Sequence, residues 1–187
     1  MPPKVKITKE EILKTALELV RTSGAESLNA RAVANALDCS TQPIFSNFEG
    51  MEELRVDVIA DAYSLYLDFI KNEVDSEKYP EYKAFGMAYI RFAMEEKELF
   101  KLLFMRDRTG EDLSPSPDFE RSACIISNAF GVSMEIARFI HLEVWACVHG
   151  LGTMIATNFL PLELELISTM VSDVYQGIRA KYSTEGK

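Results

Sequence analysis

Apolar residues recur at helical spacing along almost the whole chain, and the breaks between the stripes predict about nine helices. Ile7, Ile12, Ala16, Leu19 and Val20 form the first stripe. Thr8 is placed as its N-cap with Glu11 three residues on, and Ser23-Gly24 as its stop. A second helix is predicted over Ala30 to Leu37, opened by Asn29, with Ala32, Val33, Ala36 and Leu37 turned inward. Asp38-Cys39-Ser40 makes a three-residue turn. Ser40 is expected to cap a third, very short helix ending at Asn47, with Pro43 at its third position, where a missing N–H costs little. Glu49-Gly50 breaks the chain again. A long fourth helix follows from about Met51 to Asn72, burying Leu54, Val58, Ile59, Ala62, Tyr66 and Ile70.

Pro80 opens a fifth helix carrying Phe85, Ala88, Tyr89, Phe92 and Ala93, and Lys97 to Met105 reads as a short apolar sixth. The run from Arg106 to Pro117 holds most of the loop signals of the second half. Ser116 or Asp118 starts a seventh helix that Gly131 stops, and Ser133 caps the eighth. That helix keeps Ile136, Ile140, Val144, Val148, Leu151 and Ile155 on one side. Pro161 opens the last, with Ile167, Met170, Val171, Val174 and Ile178. There is no alternating β pattern, internal repeat or low-complexity tract, so the fold expected is all-α.

Composition narrows the class. Of 187 residues 48% are hydrophobic and 26% charged, which excludes a disordered tail, a collagen-like chain or a disulfide-stapled miniprotein. The N-terminus has no apolar signal core, and no stretch is expected to reach the ~20 apolar residues that cross a bilayer. A cytoplasmic protein with no membrane partner is the expectation. Cys39, Cys124 and Cys147 are an odd number at spacings that match no zinc site, and read as buried thiols of a reducing compartment. No metal or other cofactor is expected.

The net charge of −9 is unevenly placed. Residues 1–50 hold six Lys or Arg and six Asp or Glu, whereas residues 51–187 hold fourteen and twenty-three. Lys4, Lys6 and Lys9 make a basic arm at the start. The asymmetry permits nucleic-acid contact at one end.

Three short helices with a tight turn between the second and third, and small residues (Ala32, Ala34, Ala36) where helices cross, form a helix-turn-helix arrangement. The third helix would enter a major groove with Thr41, Gln42, Ser46 and Asn47 outward and Ile44 and Phe48 inward; Gln42 is able to pair with adenine. Over Ile12 to Leu54 the chain resembles the DNA-binding domain of the TetR family of transcriptional regulators. The residues that carry this are Gly24, Val33-Ala34-Asn35-Ala36-Leu37, Ser40, Phe45-x-x-Phe48 and Glu52-Glu53-Leu54. The resemblance implies phosphate contacts from Asn29 and Arg31, and base or backbone contacts from Ser40, Thr41, Gln42, Pro43, Phe45, Ser46 and Asn47. Three positions depart from the family pattern. Phe45 replaces a Tyr and Met51 a Lys, both usual phosphate contacts, and Thr41-Gln42 stands for the common Lys-Gly. Salt dependence should therefore be weaker than usual, through a changed operator or a weaker binder. The alternative is a three-helix module that only caps the larger domain.

Residues 51–187 are expected to form a helical ligand-binding and dimerisation domain after a helix-turn-helix domain over 1–50. No nucleophile, phosphate-loop or dinucleotide fingerprint suggests an enzyme. His141 and His149 lie on nearly one helix face without metal-ligand partners. Tyr63, Tyr66, Tyr89, Phe92, Phe104, Trp145 and His149 either fill the core or line an apolar cavity for a small molecule. Trp145-x-x-x-His149-Gly150 resembles a motif in one branch of the family's C-terminal domains, where His149 either clamps a helix pair or borders the cavity. Gly150 and Gly152 would allow close approach of a neighbouring helix. Val148, Leu151, Ile155, Ile167, Met170, Val171, Val174 and Ile178 are expected to pair two copies through a four-helix interface. The function these features imply is a ligand-responsive regulator, a repressor released from palindromic double-stranded DNA by a small apolar inducer. The alternative is a helical small-molecule-binding protein without operator-specific regulation.

Overall fold

The computed structural model describes residues 7–110, 114 and 116–184. Among them are nine α-helices, one 3-10 turn and no strand. The helices are α1 (Lys9–Ser23), α2 (Ala30–Ala36), α3 (Gln42–Asn47), α4 (Met51–Asp75), α5 (Glu81–Glu95), α6 (Lys97–Phe104), α7 (Pro117–Phe130), α8 (Met134–Ala156) and α9 (Leu164–Thr184). The all-α fold is as expected. Lys4 and Lys6 of the basic arm, and residues 111–113 and 115 of the loop expected between Arg106 and Pro117, lie outside the described residues.

The chain divides into two compact units, Met1–Leu67 with Glu96–Arg106, and Asp68–Glu95 with Asp107–Lys187. The boundary expected after Gly50 does not separate them. Most of α4 and all of α6 belong with the helix-turn-helix segment, because Leu54, Val58 and Ala62 of α4 and Leu99 and Phe100 of α6 are fully buried. A glycine break marks where a helix starts, not where a packing unit ends.

In the first unit α1 begins with a capping box. The Glu11 amide donates to Thr8 Oγ1 at 3.2 Å, and the Thr8 amide to Glu11 Oε2 at 2.9 Å. The helix buries Ile12, Ala16 and Val20 and ends at Gly24, whose φ of +82° is the left-handed region that glycine enters without strain. An added Cβ there would also sit 3.0 Å from Glu98 Oε2 of α6. Beside it Arg21 clamps Glu96, the residue before α6, through two donors, with Nε 2.7 Å from Oε2. Glu96 is only 5% exposed. Helix α6 thereby packs on α1 and on the 3-10 turn Ala25–Ser27.

In the second unit α8 is central, packing on α5, α7 and α9. Ser116 and Ser133 cap α7 and α8 by accepting the Phe119 and Ile136 amides. Gly131, left-handed at φ +68°, lets the chain reverse between them. The buried face of α8 carries Ala137, Ile140, Val144, Val148, Leu151 and Ile155. Ile136, expected on that face, is exposed, because Ala137 occupies the inward position of the first turn. Helix α8 also corrects the expectation that no segment is apolar enough to cross a membrane: it is 23 residues long with a window of mean hydropathy 1.3. Its buried side is helix packing within this unit. Nor are the cysteines buried, since Cys39 and Cys147 are half-buried and Cys124 is exposed.

Candidate functional site

The turn and α3 are held from below. Ile44 is fully buried and Phe48 nearly so, as their spacing predicts. In α2 the inward pair is Val33 and Ala34, with Leu37 half-buried; Ala36, expected inward, is exposed. Asp38 carries the reversal at φ +49°, and the Cys39 amide closes it on the Ala34 carbonyl at 3.0 Å. Ser40 is exposed in this turn and is not the cap. Thr41 occupies that position with a near-helical backbone and no side-chain cap bond, so α3 begins at Gln42 and Pro43 is its second residue. The Thr41 backbone, at φ −72° and ψ −11°, is already near-helical and not the extended conformation from which a cap hydroxyl reaches back.

Gln42, Phe45 and Ser46 point outward, while Thr41, Pro43 and Asn47 are half-buried. Asn29 is committed to its own helix start. Its Oδ1 accepts the Ala32 amide at 3.0 Å, and its Nδ2 donates to the Ser27 carbonyl at 3.2 Å. Arg31 is exposed and makes no ion pair among the described residues.

Lys9 is not a free arm residue. Its ammonium lies 2.9 Å from Glu53 and 3.0 Å from Asp57, and 4.6 Å from the centre of the Phe48 ring. Those two carboxylates hold its pKa above the ordinary lysine value. Lys9 therefore ties α1 to α4. Helix α3 has no cation, and Asp38, Glu49 and Glu52 near it in sequence are exposed acids.

Of the seven expected cavity residues, Tyr63, Tyr66 and Phe104 belong to the first unit and Tyr89, Phe92, Trp145 and His149 to the second. In the first unit Tyr63 and Tyr66 are 5.9 Å apart, and the Phe104 ring meets Tyr66 edge-on at 5.2 Å. In the second, Phe92 is fully buried against Phe69. Tyr89 Oη lies 2.7 Å from His149 Nδ1, and Trp145 stacks on His149 at 4.9 Å with an interplanar angle of 16°. A half-open groove of about 200 Å³ lies between Lys78, Tyr79, Leu164, Glu165 and Ser168, none of them expected residues.

Sequence reasoning missed Tyr82. Its hydroxyl is 2.9 Å from His141 Nδ1, and Phe119 packs edge-on against the imidazole at 4.6 Å. With Tyr89–His149 this makes two tyrosine–histidine rungs between α5 and α8. The sequence holds only a near-match of spacing, seven residues between the tyrosines and eight between the histidines, which does not say that these two helices pair. Burial keeps the Tyr82 phenol protonated and pushes the His141 pKa down to about 4. The bond therefore joins a protonated phenol to a neutral imidazole.

A histidine held neutral when folded but titrating near 6.5 when unfolded costs stability as pH falls. Loss begins near pH 6.5, where the unfolded chain takes up the proton, and levels off near pH 4, where the folded chain does too. Its full size is up to about 3 kcal/mol. Urea unfolding from pH 7.5 to 4 should show that decline, and His141→Asn should flatten it. His149, also lowered by burial, would leave a smaller residue of the same sign.

The expected partner-facing residues need correction. Val148, Leu151, Ile155, Ile167 and Val171 are buried inside the protomer, and Ile178 packs on the cluster of Ala123, Ile126, Ala137 and Ile140. Val174 is half-buried, and only Met170 is exposed. Periodicity locates a stripe that must be covered without saying which chain covers it. The exposed apolar side chains of the same helices are Ile136, Phe139, Leu142 and Trp145 on α8 and Leu166 and Met170 on α9. Compared with family models and with curated proteins, the chain matches none.

Proposed function

We propose that the chain is a ligand-responsive, DNA-binding transcriptional regulator of the TetR type, acting as a homodimeric repressor on a palindromic operator. The observation that carries the reading is α3, anchored by Ile44 and Phe48 behind a tight turn and presenting Gln42, Phe45 and Ser46 outward. Two copies joined through α8 and α9 would set two such helices ~34 Å apart. The exposed Phe139, Leu142, Leu166 and Met170 support that pairing. A small apolar molecule held among the aromatic side chains would move α4, which contributes residues to both units, and lower operator affinity.

The test is a fluorescence-anisotropy titration against DNA tiled across the promoter of its own gene, at two salt concentrations. A saturable, sequence-specific shift is expected, with a shallow salt slope. Met51→Lys should tighten binding and steepen the slope of log K against log salt by about 0.9 per subunit. An unchanged slope would place residue 51 away from phosphate. The cation-free α3 with Asp38, Glu49 and Glu52 near it favours one second reading, a helical small-molecule-binding protein without an operator. That reading holds if no DNA sequence is preferred after bound ligand has been stripped.

A further inference from the structure

The polar side chains of α3 are not equally available. Ser46 Oγ donates its one hydrogen to the Gln42 carbonyl at 2.9 Å, and Asn47 Nδ2 donates to the Pro43 carbonyl at 2.8 Å, so Ser46 keeps only acceptor capacity and the half-buried Asn47 is held back against its own helix. The Gln42 amide is exposed and has no hydrogen-bond partner among the described residues. Phe45, one turn further on the same outward face, is 54% exposed, while its neighbour Ile44 is fully buried. An uncommitted amide and an uncovered phenyl ring therefore stand side by side.

Resting on the regulator reading above, we propose that this pair reads an A·T-containing half-site, Gln42 on adenine and Phe45 on the thymine of a neighbouring base pair. A carboxamide presents one donor and one acceptor together. Adenine matches it in the major groove with N7 as acceptor and the N6 amine as donor, whereas guanine offers two acceptors, N7 and O6. The guanine reader is Arg or Lys, and α3 (QPIFSN) has neither. Phe45 has no polar atom to give a phosphate or a base edge. The thymine C5 methyl is the one apolar group that the major groove displays. Residues 42 and 45 are separated along the helix by about 4.5 Å. That is close to the ~3.4 Å rise of one base pair, so the two side chains address neighbouring pairs.

The test starts from selection of random-sequence duplexes on the full-length protein. In the enriched half-site, deoxyuridine then replaces thymine, removing only the methyl group, and 7-deazaadenine replaces adenine, removing only N7. Wild-type protein should lose about 5- to 100-fold in affinity at one 7-deazaadenine position. It should lose about 3- to 10-fold at one deoxyuridine position. Gln42→Ala should be indifferent to 7-deazaadenine and Phe45→Ala to deoxyuridine; both side chains are exposed, so folding should be retained. An enriched half-site that tolerates both analogues, or one with only G·C pairs at its discriminating positions, overturns this inference and leaves the regulator reading standing. Absence of any enriched sequence overturns both.

Discussion

Arg21→Ala should cost about 2–4 kcal/mol of stability, more than any exposed charge in the molecule, because it strands a carboxylate that is itself buried. Glu96 is 5% exposed and takes both its donors from Arg21. Arg21 is half-exposed, with a side-chain accessibility of 47%, so water can reach the gap left by its removal and hold the loss below that of a sealed site. The pair fixes the start of α6 against the end of α1, where Glu98 also lies close to Gly24. Urea unfolding of the two single variants and of Arg21→Ala with Glu96→Ala makes the measurement. The double variant should be markedly more stable than the sum of the single losses, since it leaves no orphaned charge. Additive losses would mean that the contact is only a surface ion pair, worth at most about 1 kcal/mol.

That ion pair shows where the sequence was legible and where it was not. Capping boxes and glycine stops are local, so Thr8 with Glu11, the Ser116 and Ser133 caps, and Gly24 and Gly131 could be read from spacing alone. The inward placing of Ile44 and Phe48 was legible for the same reason. Arg21 and Glu96 are seventy-five positions apart, and nothing periodic connects them. Tyr82 and His141 were likewise out of reach, because a hydrogen bond between two helices depends on their register, which an apolar stripe leaves undefined. Lys9 read as a free cation because its partners, Glu53 and Asp57, are a helix-turn-helix away. The cap of α3 was misplaced by one residue, since Ser40 and Thr41 are chemically alike and only the backbone decides between them.

The same ambiguity governs the partner-facing surface, and there two glycines separate the alternatives. Gly150 of α8 and Gly177 of α9 sit inside long helices, where glycine costs roughly 0.5–1 kcal/mol relative to alanine. Nothing among the described residues requires either, for an added Cβ at each meets none of their atoms within 4 Å. Gly86 on α5 differs, since its Cβ would lie 3.5 Å from Val148. A glycine that is costly to its own helix and unneeded by its own core is explained if a second copy of α8 or α9 passes close over it. Gly150→Leu should therefore have opposite effects on the two levels of structure. The isolated protomer should gain up to about 1 kcal/mol from helix propensity. The proposed dimer should lose about 2–6 kcal/mol, because an overpacked site costs about 1–3 kcal/mol and a two-fold interface would contain it twice. That corresponds to a thirtyfold to more than ten-thousandfold weaker association, with loss of palindrome binding. Sedimentation equilibrium across nanomolar to micromolar concentration, paired with thermal unfolding, makes the comparison, and Phe139→Glu on the exposed α8 face should dissociate the dimer by burying a charge. A Gly150→Leu protein that stays dimeric, or whose monomer melts lower than wild type, would show that the open space over Gly150 is solvent and that copies meet elsewhere.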